Sequence, residues 1–166
     1  MKFAKIIVLL FFYFTATLCF SDENINLMRL SSSECESKLG KPVKVIKTQN
    51  KSSQMKETKR VYKKGEYIIT VSFFKDVAIA ISYIKGKSYL DITEKKKVKT
   101  ISKKEISDIL KSYADEKEWS RMPKFDSDKI KSLYCKRKHF IVLLVENSAV
   151  VISDSRLFGI CNEKSE

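Results

Sequence analysis

Two stretches decide how this chain reads: Leu30-Ser31-Ser32-Ser33-Glu34-Cys35 and, about 71 positions later, Ile101-Ser102-Lys103-Lys104-Glu105-Ile106. Each sets a serine three residues ahead of a glutamate. A serine hydroxyl so placed accepts from an orphan amide at a helix start, and the glutamate reaches back to the serine's own amide. Apolar residues bracket each cap: Leu30 and Cys35 in the first copy, Ile101 and Ile106 in the second. That is the spacing of a hydrophobic staple. One capping box is a weak signal, but two stapled boxes in matching positions predict two helix starts.

The likeness extends beyond the caps. The first helix is expected to stop at Gly40, with Pro42 forbidding continuation. The second presents Ile106, Ile109, Leu110 and Tyr113 at helical spacing and is expected to end near Ala114. A polar gap follows each: 49–59, read as an exposed loop, and 115–127, which holds Trp119 and Pro123. Trp119 is expected to pack back on its helix end. Then come Tyr62-Lys63-Lys64 with the apolar run 67–83, and Tyr134-Cys135-Lys136 with the run 139–152. Ser31 maps to Ser102, Glu34 to Glu105, Leu39 to Leu110, Tyr62 to Tyr134 and Ile69 to Ile141, with one residue of slippage between the helix part and the strand part.

Each run reads as a β-hairpin. Tyr67, Ile69, Val71 and Phe73 alternate outward, and Val77, Ile79, Ile81 and Tyr83 return after a turn near Lys75-Asp76. In the second run Ile141, Leu143 and Val145 match the outgoing strand, and Ala149 and Val151 the return. Loops of odd length would put each set on one face. Short flanking strands are expected at 60–62, 89–92, 130–134 and 157–160. A helix with one apolar stripe and a sheet with one apolar face satisfy each other. The expected fold is therefore α+β: two tandem helix-plus-antiparallel-hairpin repeats, 22–95 and 96–166, with helices packed on one face of an antiparallel sheet in one compact body.

The start of the chain reads differently. Lys2 and Lys5 precede an apolar stretch from Ile6 to about Leu18, and no acidic residue comes before Asp22. That is the layout of a secretory signal peptide, assigned to 1–21. A membrane span needs roughly 20 apolar residues, which disfavours an uncleaved anchor. A lipid on Cys19 is disfavoured because Leu18 stands where a small residue is required. The expected location is secreted or periplasmic.

The formal net charge is +13, carried mostly by scattered lysine pairs and triplets such as Lys95-Lys96-Lys97. Such a balance can favour nucleic acid, anionic lipid or acidic polysaccharide, and it is equally what the solvated surfaces of a lysine-rich proteome show. With few arginines for bidentate phosphate contacts, nucleic acid is not expected as a partner. An oxidising compartment permits a disulfide. Folding the second hairpin about residues 146–148 makes Cys135 and Cys161 the preferred pair. Cys35 matches Ile106 and reads as a small buried hydrophobe.

Catalysis should leave a constellation, and the sequence lacks one. His139 is the only histidine, at the start of a strand. A thiolate pair with Cys35 or Cys135 is conceivable but has no supporting spacing. No ligand spacing for a metal exists, and the four glycines form no phosphate loop. Asp126 and Asp128 suit a turn without an ion. No enzyme activity, cofactor, metal or catalytic residue is expected.

The layout Ser-x-x-Glu-Cys-x-x-Lys-Leu-Gly-Lys-Pro, a loop, then Tyr-x-x-x-x-Tyr-Ile-Ile-Thr-Val-Ser-Phe resembles a known repeat. It is similar to that of the beta-lactamase inhibitory protein and the small outer-membrane-assembly lipoproteins, and to small secreted bacterial proteins with Gly-Lys-Pro-Val and Tyr-Lys-Lys-Gly segments. The resemblance runs from Leu30 to Gly159. It implies a scaffold that binds other proteins, and no contact residue carries over. The functional expectation is a small exported non-catalytic protein that engages another protein through its sheet face or edge. The alternative is a basic protein adhering to anionic lipid or polysaccharide.

Overall fold

A computed structural model describes residues 25–49, 56–86, 99–146 and 148–158. The expected leader 1–21, the flanking strand at 89–92 and Cys161 lie outside them.

Both capping boxes form. At α1 (Ser32–Leu39) the Glu34 amide donates to Ser31 Oγ at 3.2 Å, and the Ser31 amide donates to Glu34 Oε2 at 2.7 Å. At α2 (Lys103–Lys111) the Glu105 amide donates to Ser102 Oγ at 3.3 Å, and the Ser102 amide to Glu105 Oε2 at 2.8 Å. Gly40 ends α1 at φ 81°, a left-handed conformation that costs glycine nothing. Ile106, Ile109, Leu110 and Tyr113 are all buried.

The strands overturn the expected fold class. Among the described residues there are not two helix-plus-hairpin repeats but one eight-stranded antiparallel sheet with two short helices. The strands are β1 (Lys44–Gln49), β2 (Lys56–Lys64), β3 (Tyr67–Phe74), β4 (Val77–Lys85), β5 (Ser120–Arg121), β6 (Ile130–Cys135), β7 (Phe140–Val145) and β8 (Ala149–Asp154). Their order is β1-β2-β3-β4-β8-β7-β6-β5, so β4 and β8 close the two halves into a single sheet. The extra strands hid in polar sequence. β1 ends at Gln49, the first residue of what reads as the loop 49–59, and β2 begins at Lys56 inside it. A ladder is built from backbone groups, so lysine-rich segments pair well at an edge where one side faces water. At the other end of the chain, residues 157 and 158 belong to a 3-10 turn, Ser155–Phe158, rather than a strand.

The turns decide which residues face the core. Lys75 and Asp76 form a two-residue turn with both φ positive, 48° and 61°. An even loop sets Phe74 opposite Val77, and a bulge at Ser72/Phe73 then restores Val71 opposite Ile81. Ala78 therefore takes the buried place expected for Val77, which is 42% exposed.

One apolar cluster holds Tyr62, Ile69, Val71, Phe73, Ala78, Ile81 and Tyr83 from the first half. From the second half it takes Cys135, Phe140, Val142, Val150 and Ile152. Cys35 of α1 and Ile106, Ile109 and Leu110 of α2 belong to the same cluster. In β7 and β8 the face is the reverse of the one expected. Ile141, Leu143, Val145, Ala149 and Val151 do share a face, but it is the other one. The mapping of Tyr62 to Tyr134 and Ile69 to Ile141 preserves the cross-strand pair and flips its side. A slip of one residue exchanges every side chain in a period-2 strand.

Polar contacts cross between the halves. Asp154, at the end of β8, is 4% exposed. Its Oδ2 accepts from Arg29 Nε at 3.1 Å and Arg156 Nη2 at 2.6 Å, and its Oδ1 from Arg156 Nε at 2.9 Å. Arg29 also lies over the Phe140 ring, 5.1 Å from its centroid, and donates to the Lys138 carbonyl at 2.7 Å. Glu105 Oε1 accepts from the Tyr67 hydroxyl and Lys85 Nζ, each at 2.7 Å. The Tyr83 and Tyr113 hydroxyls share a buried hydrogen bond.

Candidate functional site

The residues weighed as chemical candidates in the sequence are Cys35, Cys135, His139, Asp126 and Asp128. Burial raises the Cys35 thiol to about 11, away from the thiolate a nucleophile needs. Cys135 is a buried free thiol at the end of β6, and the Cys161 half of the expected bridge is outside the described residues. His139 sits in the β6–β7 turn at φ 56°, where its carbonyl accepts from the Ser155 amide at 2.8 Å. Asp126 is a loop pin. One oxygen accepts from the Ser132 amide at 2.7 Å and hydroxyl at 2.9 Å, the other from Arg121 Nη2 at 2.7 Å. Among the described residues no group of three metal-ligating side chains forms. Trp119 packs on the end of its helix as expected, its Nε1 donating to the Ala114 carbonyl at 3.3 Å.

A surface stands out instead: the sheet face turned away from the cluster. Cross-strand registers align its residues into rows. One row runs Lys63, Ile68, Ile84, Ala149, Val145, Ile130 across six strands. The next runs Lys44, Val61, Thr70, Ser82, Val151, Leu143, Ser132. Val61 and Ile68 are buried, whereas Ile84, Leu143, Val145, Ala149 and Val151 remain partly exposed. None of these apolar residues belongs to the cluster that takes in the two helices. The first row is apolar beyond Lys63, whereas the second carries Thr70 and Ser82 between Val61 and Val151; both begin with lysine at the β1–β2 end, where Lys59 lies on the same face.

The two sheet edges are less inviting. β1 presents exposed Lys44 and Lys47, and β5 is two residues long. Lysine and brevity are both devices that keep an edge from pairing with another chain. Sequence reading missed this face in β7 and β8 because it assigned Leu143, Val145, Ala149 and Val151 to the core. The signal was present in Phe140–Val145, which is apolar at every position, a pattern of strands with two occupied faces.

No family model matches the chain, and no curated protein does. Among solved structures, a cysteine-rich secretory protein from Staphylococcus aureus subsp. aureus Mu50 aligns with TM-score 0.42 and 10% identity, over 80% of this chain and 46% of that one.

Proposed function

We propose that the protein is a non-catalytic binding protein that docks another protein on the open face of its sheet. The observation that carries this reading is the row Ile84, Ala149, Val145, Ile130, apolar and partly exposed on four neighbouring strands. None of the four belongs to the cluster that takes in the two helices. Contiguous apolar surface of this kind on a charged protein is characteristic of an interaction site. The lysines bordering it, Lys44, Lys59 and Lys63, favour a partner whose apolar patch is flanked by carboxylates. The resemblance noted in the sequence agrees with such a role.

Affinity capture with the native chain beside Val151→Glu and Leu143→Glu variants tests it. A partner retained stoichiometrically by the native chain and lost by both variants, but kept by a Lys124→Glu control, is the expected result. Failure to recover any stoichiometric partner, or equal recovery by the face variants, overturns it.

A second reading has its own support. A groove of about 550 Å³ beside α1 is lined by Lys47, Lys56, Arg60 and Lys75, with Phe73 and one carboxylate, Asp76, also in the lining. That many cations in one concavity suit an anionic polysaccharide. Retention on an anionic polysaccharide matrix that persists in the face variants and collapses at moderate salt would favour this reading over the first.

A further inference from the structure

On the side of the sheet opposite the proposed docking face, α2 is too short to cover the strands beneath it. A groove of about 340 Å³ opens there, floored by Ile106 and Leu110 of α2, Leu133 of β6 and Leu144 of β7. The Trp119 indole forms one wall, held in place by its bond to the Ala114 carbonyl. This size and this apolar lining fall in the range of small-molecule sites. Three lysines stand round the opening: Lys103 and Lys111 at the two ends of α2, and Lys131 on β6. None of the three forms an ion pair with a described residue, and Glu116 is the one carboxylate of the lining.

The geometry points to a binding site for an amphipathic anion: an alkyl carboxylate whose chain lies along the Leu133–Leu144 floor beside Trp119 and whose head group meets the lysines. Two properties select that class. An apolar floor between a helix and a sheet removes hydrocarbon from water without asking for hydrogen bonds. Cations confined to the rim, on flexible stems, reward a single exposed negative charge at the end of the chain. A sugar or nucleotide would bring polar groups to a floor that offers no partner for them. The site is independent of the docking face, so each can fail alone.

Trp119 is the sole tryptophan in the chain, which makes the test direct. Decanoate titrated into the full-length protein is expected to shift Trp119 emission to the blue in a saturable way, with matching heat in calorimetry. Decanol, which lacks the charge, is expected to bind about tenfold more weakly. A Lys111→Gln/Lys131→Gln variant should abolish that preference while keeping decanol binding. Ser107→Phe, which fills the groove from the partly exposed side of α2, should lose both ligands while circular dichroism stays native. Absence of saturable binding by either method overturns the site. So does equal binding of decanoate and decanol by the native chain, or unchanged binding in a folded Ser107→Phe variant.

Discussion

Asp154 shows how much of this protein rests on single polar residues. Burial pushes its carboxyl up, but the Arg156 guanidinium and amide and the Arg29 guanidinium outweigh that and bring it down to about 2. The ordinary value for the group is 3.8. A carboxylate whose folded pKa is depressed stabilises the fold above the unfolded value, and that contribution is lost as pH falls through the folded one. The window is therefore from about pH 4 down to about pH 2, and the contribution is about 2 kcal/mol. Asp154→Asn should cost about 2–3 kcal/mol at neutral pH, since it strands Arg29 and Arg156 beside a buried neutral group. Urea unfolding from pH 7 to pH 2 checks both: the variant should lose the acid-limb slope assigned to this residue. An unchanged slope would mean that other carboxylates control acid stability. Glu105 titrates in the same direction. The Lys85 ammonium, then the Tyr67 hydroxyl and the Ser102 amide, hold it well below the usual carboxylate range. No sequence pattern announces the Arg29–Asp154 pair, because its partners lie 125 positions apart.

At the scale of elements, the caps and the turns behave differently as signals. A capping box is a contact between residues three apart, so Ser31/Glu34 and Ser102/Glu105 were readable before any fold was known. The Lys75-Asp76 turn was placed correctly, yet its length and the bulge beside it determined which of Val77 and Ala78 enters the core. Both turn residues adopt positive φ, and lysine is a poor choice for that conformation. Lys75→Asn is expected to raise stability by about 0.5 kcal/mol. Asp76→Ala should lower it by about 1 kcal/mol, because Asp76 Oδ1 also accepts from the Ser32 amide at the head of α1. Thermal melts of the two variants should move in opposite directions, and a common direction would contradict the turn geometry. β1 and the first half of β2 are the segments that sequence reading lost; residues 60–62 of β2 were expected as a short strand. Their lysines and threonines carry no apolar period, and only pairing, of β2 with β3 and of β1 with β2, makes them strands.

For the whole molecule, the decisive fact is which side of β7 meets the helices. Val142 is fully buried in the cluster, and Leu143, its neighbour, lies on the open face. Val142→Lys should therefore abolish cooperative folding, since it puts an unpaired charge into the core. Leu143→Lys should leave a folded protein, destabilised by less than about 1.5 kcal/mol. Chemical denaturation of the pair measures this directly, and the reverse ranking would exchange the two faces of the sheet. The same comparison bears on function: if Leu143→Lys is well folded, its loss of a partner reports the surface rather than the fold.

The amino-acid sequence by itself determined the two capped helices and the hairpin turn at Lys75-Asp76. These depend on contacts within a few residues or on which residue types are present. Only the tertiary structure decided that eight strands form one sheet, that β4 and β8 join its halves, and that Leu143 and Val151 look outward. β7 and β8 are apolar along nearly their whole length, so alternation cannot say which side is which. That choice is made by the bulge at Ile79 of β4, the register of β4 on β8, and the Arg29–Asp154 contact, the last two of which require distant parts of the chain to have met.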